Sequence, residues 1–124
     1  MPTILIIEDA EEMRELLRDM LSRLSYEVVE ANDGLEGIKI AQSLRPDLIV
    51  LDLMMPVASG DFTLGFLRST ELLKKIPVIV TSAHPNAHNI AAQLGATACL
   101  GKPFHMNKLK DLITELVPVL PKDG

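Results

Sequence analysis

The sequence predicts an α/β fold: one open, parallel, five-stranded sheet with a helix after each strand. Two observations predict it. Short apolar runs alternate, five times over, with stretches whose apolar residues recur at helical spacing. The runs at 4–7, 48–51 and 78–80 are apolar without a break, as in strands covered on both faces. Strands that alternate with helices through short loops need right-handed crossovers, and those build a parallel sheet.

The elements follow in order. Ile4-Leu5-Ile6-Ile7 is a first strand, closed by Glu8 and Asp9. Met13, Leu16, Leu17, Met20, Leu21 and Leu24 form the apolar stripe of a first helix. Asp9 stands in front of that helix as its cap candidate, with Glu11 and Glu12 in the first turn, where the macrodipole favours negative charge. Residues 26–30 read as a second strand. Asn32-Asp33-Gly34 is a turn and cap signal, and Leu35, Ile38, Ala41 and Leu44 mark a second helix that ends by Pro46. The third strand is Leu48-Ile49-Val50-Leu51. Pro56 and Gly60 punctuate a loop, and Phe62, Phe66 and Leu67 set a third helix reaching about residue 73. Pro77 precedes the fourth strand, Val78-Ile79-Val80. Pro85 breaks the chain, and residues 90–94 close a short fourth helix before Gly95. Ala98-Cys99-Leu100 is a weak last strand. Leu109, Leu112, Ile113, Leu116 and Val117 define a fifth helix, ended by Pro118 and Pro121.

Composition bounds the function. The 124 residues allow one domain, with its core at about 3–117 and a short tail at 118–124. A chain of this size buries roughly two-thirds of its surface on folding, enough for a core without metal or disulfide staples. With only four aromatics, Tyr26, Phe62, Phe66 and Phe104, that core must be aliphatic. The net charge of −5 provides no electrostatic footprint for nucleic acid or an anionic membrane. The single cysteine, Cys99, excludes an internal disulfide framework and fits a reducing compartment. No apolar run approaches the roughly 20 residues of a membrane span, and the N-terminus lacks a basic leader. The expected location is cytoplasmic.

In an open parallel sheet the working crevice lies beyond the carboxyl ends of the strands. Glu8 and Asp9 follow the first strand, Asp52 the third, Thr81 and Ser82 end the fourth, and Lys102-Pro103 follows the fifth. Three carboxylates at one edge repel one another unless positive charge joins them. Mg²⁺ is one candidate, because it takes oxygen ligands and binds through one or two carboxylates beside phosphate groups. Lys102 is the other, a mobile point charge able to approach a phosphoryl oxygen. With the Thr81 hydroxyl, an aspartate nucleophile, a hard cation and a lysine make a phosphoryl-transfer site, where catalysis is positioning and charge neutralisation.

Glu8-Asp9, Asp52-Leu53-Met54-Met55-Pro56 with Gly60, Thr81-Ser82-Ala83 and Lys102-Pro103-Phe104 resemble the response-regulator receiver domain of two-component signalling. The resemblance covers nearly the whole chain. It implies a flavodoxin-like, doubly wound sheet in strand order 2-1-3-4-5. It implies that Asp52 is the phosphoacceptor and that Asp9, Asp52 and the backbone carbonyl of Met54 bind Mg²⁺, with Glu8 acting through a metal-bound water. Thr81 and Lys102 would each contact a phosphoryl oxygen, and the Lys102–Pro103 bond would be cis. The implied phosphodonor is a sensor histidine kinase or a histidine phosphotransfer protein. The implied recipient is a downstream target protein or a fused output domain. Such a domain catalyses its own phosphorylation and slow dephosphorylation and is a switch rather than a turnover enzyme.

The sequence also departs from that family. Cys99 stands where a receiver usually carries Tyr or Phe, Ser59 stands where Asp is frequent, and the segment between Thr81 and Lys102 is short. An aspartate-nucleophile phosphohydrolase of the haloacid dehalogenase kind would need a second Asp where Met54 stands. A flavodoxin-like or degenerate module acting by contact alone would not need the complete Asp9, Asp52, Thr81 and Lys102 set. His84 and His88 lie four apart, but Pro85 between them argues against one metal-binding helix face, so both read as surface residues, as does His105. Cys99 reads as a small buried hydrophobe. No glycine-rich phosphate loop is present.

Overall fold

The computed structural model describes residues 1–55 and 59–119. Pro56, the Val57-Ala58 part of the loop, Pro121 and the tail from 120 onward lie outside the described residues. The elements run β1 (Thr3–Ile7), α1 (Glu11–Arg23), β2 (Glu27–Ala31), α2 (Gly34–Leu44), β3 (Leu48–Asp52), α3 (Gly60–Ser69), β4 (Val78–Ser82), α4 (Ala87–Gln93), β5 (Ala98–Gly101) and α5 (Met106–Leu116). All strand pairs are parallel, in the order β2-β1-β3-β4-β5.

The unbroken apolar runs have the expected cause. Ile4, Ile6, Leu48, Val50 and Ile79 face one way and pack with Leu17 and Leu21 of α1 and Leu109 and Ile113 of α5. Their neighbours Leu5, Ile7, Ile49, Leu51, Val78 and Val80 face the other way, against Ala41 of α2, Leu64 and Leu67 of α3, and Ala87 and Ala91 of α4. Successive side chains on a strand point to opposite faces, so a strand between two helical layers must be apolar at every position. β2 is an edge strand and only partly buried, which is why its run is interrupted by charge.

Four local expectations need correction. Tyr26 precedes the second strand rather than opening it. Ser25 adopts a positive φ of 71°, and this turn sends the Tyr26 ring into the α1–α5 side of the core, where its hydroxyl donates to the Val117 carbonyl. Asp9 does not cap α1. The cap position is Ala10, without a side-chain bond, and the guanidinium of Arg14 holds the preceding loop instead. The third helix stops at Ser69 because the hydroxyls of Ser69 and Thr70 both donate to the Phe66 carbonyl, and Thr70 turns to an extended conformation. Leu73 is still buried, from the turn that follows. Cys99 is only half-buried, on a strand whose outer face is incompletely covered.

Several residues of the apolar stripes are exposed: Leu16, Leu35, Leu44 and Phe62. Leu16 lies about 100° around the helix from the buried Leu17 and so at the stripe's edge. On α2 the buried face is Gly34, Gly37, Ile38 and Ala41, because glycine lets the helix lie close on β1. A Cβ at Gly37 would stand 2.5 Å from Ile7 Cδ1.

Burial pushes the Tyr26 phenol above its usual range. Its contribution to stability is therefore fully present below about pH 10 and is lost as pH rises through the higher folded-state value. Tyr26→Phe should cost about 1 kcal/mol at neutral pH by denaturant melting, with the gap from the unsubstituted chain closing in strong alkali.

Candidate functional site

The polar residues expected at the carboxyl edge are brought together there. Beyond β1 the Glu8 amide still donates to the Ala31 carbonyl of β2 (3.1 Å), so Glu8 continues the sheet and its side chain is 3% exposed. Asp9 is exposed at the mouth of the crevice. Arg14, one turn into α1, donates through Nη1 to the carbonyls of Glu8 (2.8 Å) and Asp9 (3.1 Å) and is paired through Nε with Glu30 (3.5 Å). That brace fixes the backbone that carries both carboxylates.

Asp52 ends β3 in register with Thr81 of β4, and both are buried. The Asp52 Oδ1 atom accepts from the Met54 amide (3.1 Å), while the Met54 side chain points to solvent. Lys102 leaves β5 with its amide on the Ser82 carbonyl (2.7 Å), and the Lys102–Pro103 bond is cis. Its ammonium donates to Glu8 Oε1 at 2.7 Å and to Asp52 Oδ2 at 3.5 Å. Half-burial opposes the ammonium charge, but the hydrogen bond to Glu8 and the charges of Asp52 and Glu8 outweigh it and hold Lys102 above the ordinary lysine value.

Carboxylate oxygens of Glu8, Asp9 and Asp52 lie within 4.8 Å of one another. Three hard anionic donors face a single ammonium, an arrangement that fits a small divalent cation such as Mg²⁺ better than a soft metal. Among the described residues no other group of His, Cys, Asp and Glu could hold a metal. His84 and His88 are exposed, and His84 Nδ1 accepts from the Asn86 amide (2.9 Å) as a turn cap.

The chain matches the response regulator receiver domain family over residues 4–114. It belongs to that family. It is 31% identical over 113 residues to the polar-differentiation response regulator DivK of Brucella anthropi, covering 90% of this chain and 92% of DivK. It is 37% identical to hybrid signal transduction histidine kinase D of Dictyostelium discoideum over 94% of this chain, which spans only 8% of that kinase. The response regulator TrrA of Thermotoga maritima, in complex with Mg²⁺-BeF, superposes with a TM-score of 0.85 at 30% identity, over 94% of this chain and 100% of that one. The chain is thus a receiver domain, in the fold and strand order expected. Among the described residues no helix is long and apolar enough to cross a membrane.

Two features of the site were not anticipated. Arg14 and its partner Glu30 carry no motif, and only the phase of α1 against the Glu8–Asp9 loop reveals them. Gly60 reads in the sequence as loop punctuation, but it starts α3 on the backbone of the Asp52 segment. Its amide donates to the Leu53 carbonyl (3.0 Å). A Cβ there would stand 2.2 Å from Leu53 Cα and 2.4 Å from the Asp52 carbonyl oxygen. Nearby, Ser59 caps α3 by accepting from the Phe62 amide. Gly60→Ala should therefore cost about 1–3 kcal/mol in denaturant melts and shift the amide resonances of Asp52 and Leu53.

Proposed function

We propose that this receiver domain accepts a phosphoryl group on Asp52 from a phosphohistidine of a sensor histidine kinase or a histidine phosphotransfer protein. The observation that carries the reading is the buried Asp52 carboxylate, held by the Met54 amide and the Lys102 ammonium with the Glu8 and Asp9 oxygens beside it. An Asp52 carboxylate oxygen attacks phosphorus, the P–N bond breaks, and the imidazole leaves with the bond's electron pair and takes up a proton. Asp9, Asp52 and the Met54 carbonyl would hold Mg²⁺, with Glu8 reaching it through water, and the ion would supply charge neutralisation between carboxylate and phosphoryl oxygens. Lys102 takes a second phosphoryl oxygen and the Thr81 hydroxyl donates to a third.

On this reading residues 3–117 are one cytoplasmic switch domain. It acts on a downstream target or a fused output domain and does not turn over substrate. The added charge of about −1.5 to −2 biases two conformations of the domain.

Asp52→Asn replaces the nucleophile by an amide. Incubated with acetyl phosphate and Mg²⁺, the unsubstituted chain should gain one phosphoryl mass and the variant none. Uptake by the variant at an undiminished rate would remove Asp52 as acceptor. Asp9→Ala should weaken Mg²⁺ about tenfold or more. The check is the Mg²⁺-dependent rise in melting temperature, which follows the ratio of free metal to its dissociation constant.

A further inference from the structure

Lys102 does not face Asp52 alone. Its shorter bond, 2.7 Å, is to Glu8, and its contact with Asp52 is 3.5 Å. Glu8 is held ready for that bond. Its second oxygen, Oε2, accepts from the Ala10 amide (3.3 Å), and Arg14 pins the carbonyl of the same residue (2.8 Å). The Glu8 side chain is almost fully buried, so its carboxylate has little water to turn to. Among the described residues no other cationic side chain pairs with the carboxylate of Glu8 or Asp52. The reach depends on chain length. An aspartate at this position would withdraw the carboxylate by about one C–C bond, roughly 1.5 Å, and the direct contact would open.

We propose that Glu8 is a positioning residue that holds Lys102 beside unmodified Asp52 and competes with the phosphoryl group for it. The proposal rests on the assignment of Asp52 as phosphoacceptor. The ammonium lies 2.7 Å from Glu8 and 3.5 Å from Asp52, so drawing it toward a phosphoryl group on Asp52 weakens its bond to Glu8. The Glu8–Lys102 bond therefore stabilises the unphosphorylated domain more than the phosphorylated one. A contact stronger in one state shifts the equilibrium toward that state by the difference in its free energy. The glutamate thus acts as an internal brake, and the length of its side chain sets the strength.

Two variants separate reach from charge. Glu8→Asp keeps the negative charge beside the metal-binding carboxylates and loses the reach. Glu8→Gln keeps the reach and loses the charge. The first readout is acetylation of Lys102 by an N-hydroxysuccinimide ester with a chelator present, followed by peptide mass mapping, with the exposed Lys39 and Lys108 as internal controls. Lys102 should label about three- to tenfold faster in both variants, the span of one charge-assisted hydrogen bond at a partly exposed site. The second readout is beryllofluoride binding with Mg²⁺, followed by amide chemical shifts. Glu8→Asp should bind about three- to tenfold more tightly than the unsubstituted chain.

Labelling of Lys102 at the unsubstituted rate in both variants overturns the proposal. So does beryllofluoride binding that is unchanged or weaker in Glu8→Asp. If one variant does not fold, the labelling of the other still decides whether Glu8 holds the lysine. If the unsubstituted chain itself binds no beryllofluoride and takes no phosphoryl group, the assignment of Asp52 fails and the competition with it. A chain that is phosphorylated while Lys102 is indifferent to Glu8 keeps that assignment and loses only the brake.

Discussion

Two carboxylates, Glu8 and Asp52, are buried side by side at the edge of the sheet, and one ammonium keeps them there. Each buried ion carries a desolvation penalty of several kcal/mol, and like charges at this distance add to it. Lys102 offsets both, and the two carboxylates in turn outweigh the effect of its own half-burial and raise its proton affinity. It comes from the end of the last strand, 94 residues from Glu8 and 50 from Asp52. The crevice is therefore complete only when all the central strands are in register. Its chemistry is coupled to the folding of the whole domain rather than to any one loop.

The rest of the architecture serves that edge. Covered on both faces, the sheet leaves its strand ends as the one place where backbone and polar side chains converge. Arg14 ties the loop after β1 to α1, and Gly60 lets α3 begin directly on the backbone behind Asp52. The acidic residues are thus fixed from two helices on opposite sides of the sheet. Preorganisation of this kind suits phosphoryl transfer, where little covalent work is needed and most of the barrier is charge placement.

On the far side of Lys102 the molecule is more open. A groove of about 320 Å³ runs between α4, β5 and α5 and is lined by His88, Cys99, Leu100, Phe104, His105 and Lys108. Cys99 supplies no ring to fill it, and burial pushes its thiol above the ordinary range, which makes it a poor nucleophile. The lining of two imidazoles, one lysine and apolar groups, without a carboxylate, contrasts with the acidic crevice on the other side of Lys102.

The sequence by itself determined the number, kind and order of the ten elements, because an apolar period is a local property that two-sided burial imposes residue by residue. It also determined which side chains meet at the carboxyl edge, because a parallel sheet places every strand end on one side. Element ends were less legible: Tyr26 and the third helix were misplaced because a positive φ at Ser25 and two hydroxyls on one carbonyl override the apolar pattern. Only the tertiary structure decided that Lys102 binds Glu8 more closely than Asp52, that Arg14 braces the Glu8–Asp9 backbone, and that Gly60 and Gly37 mark close approach. These depend on side-chain reach and on the gap between elements far apart in the chain, distances of an ångström or two that no local period records.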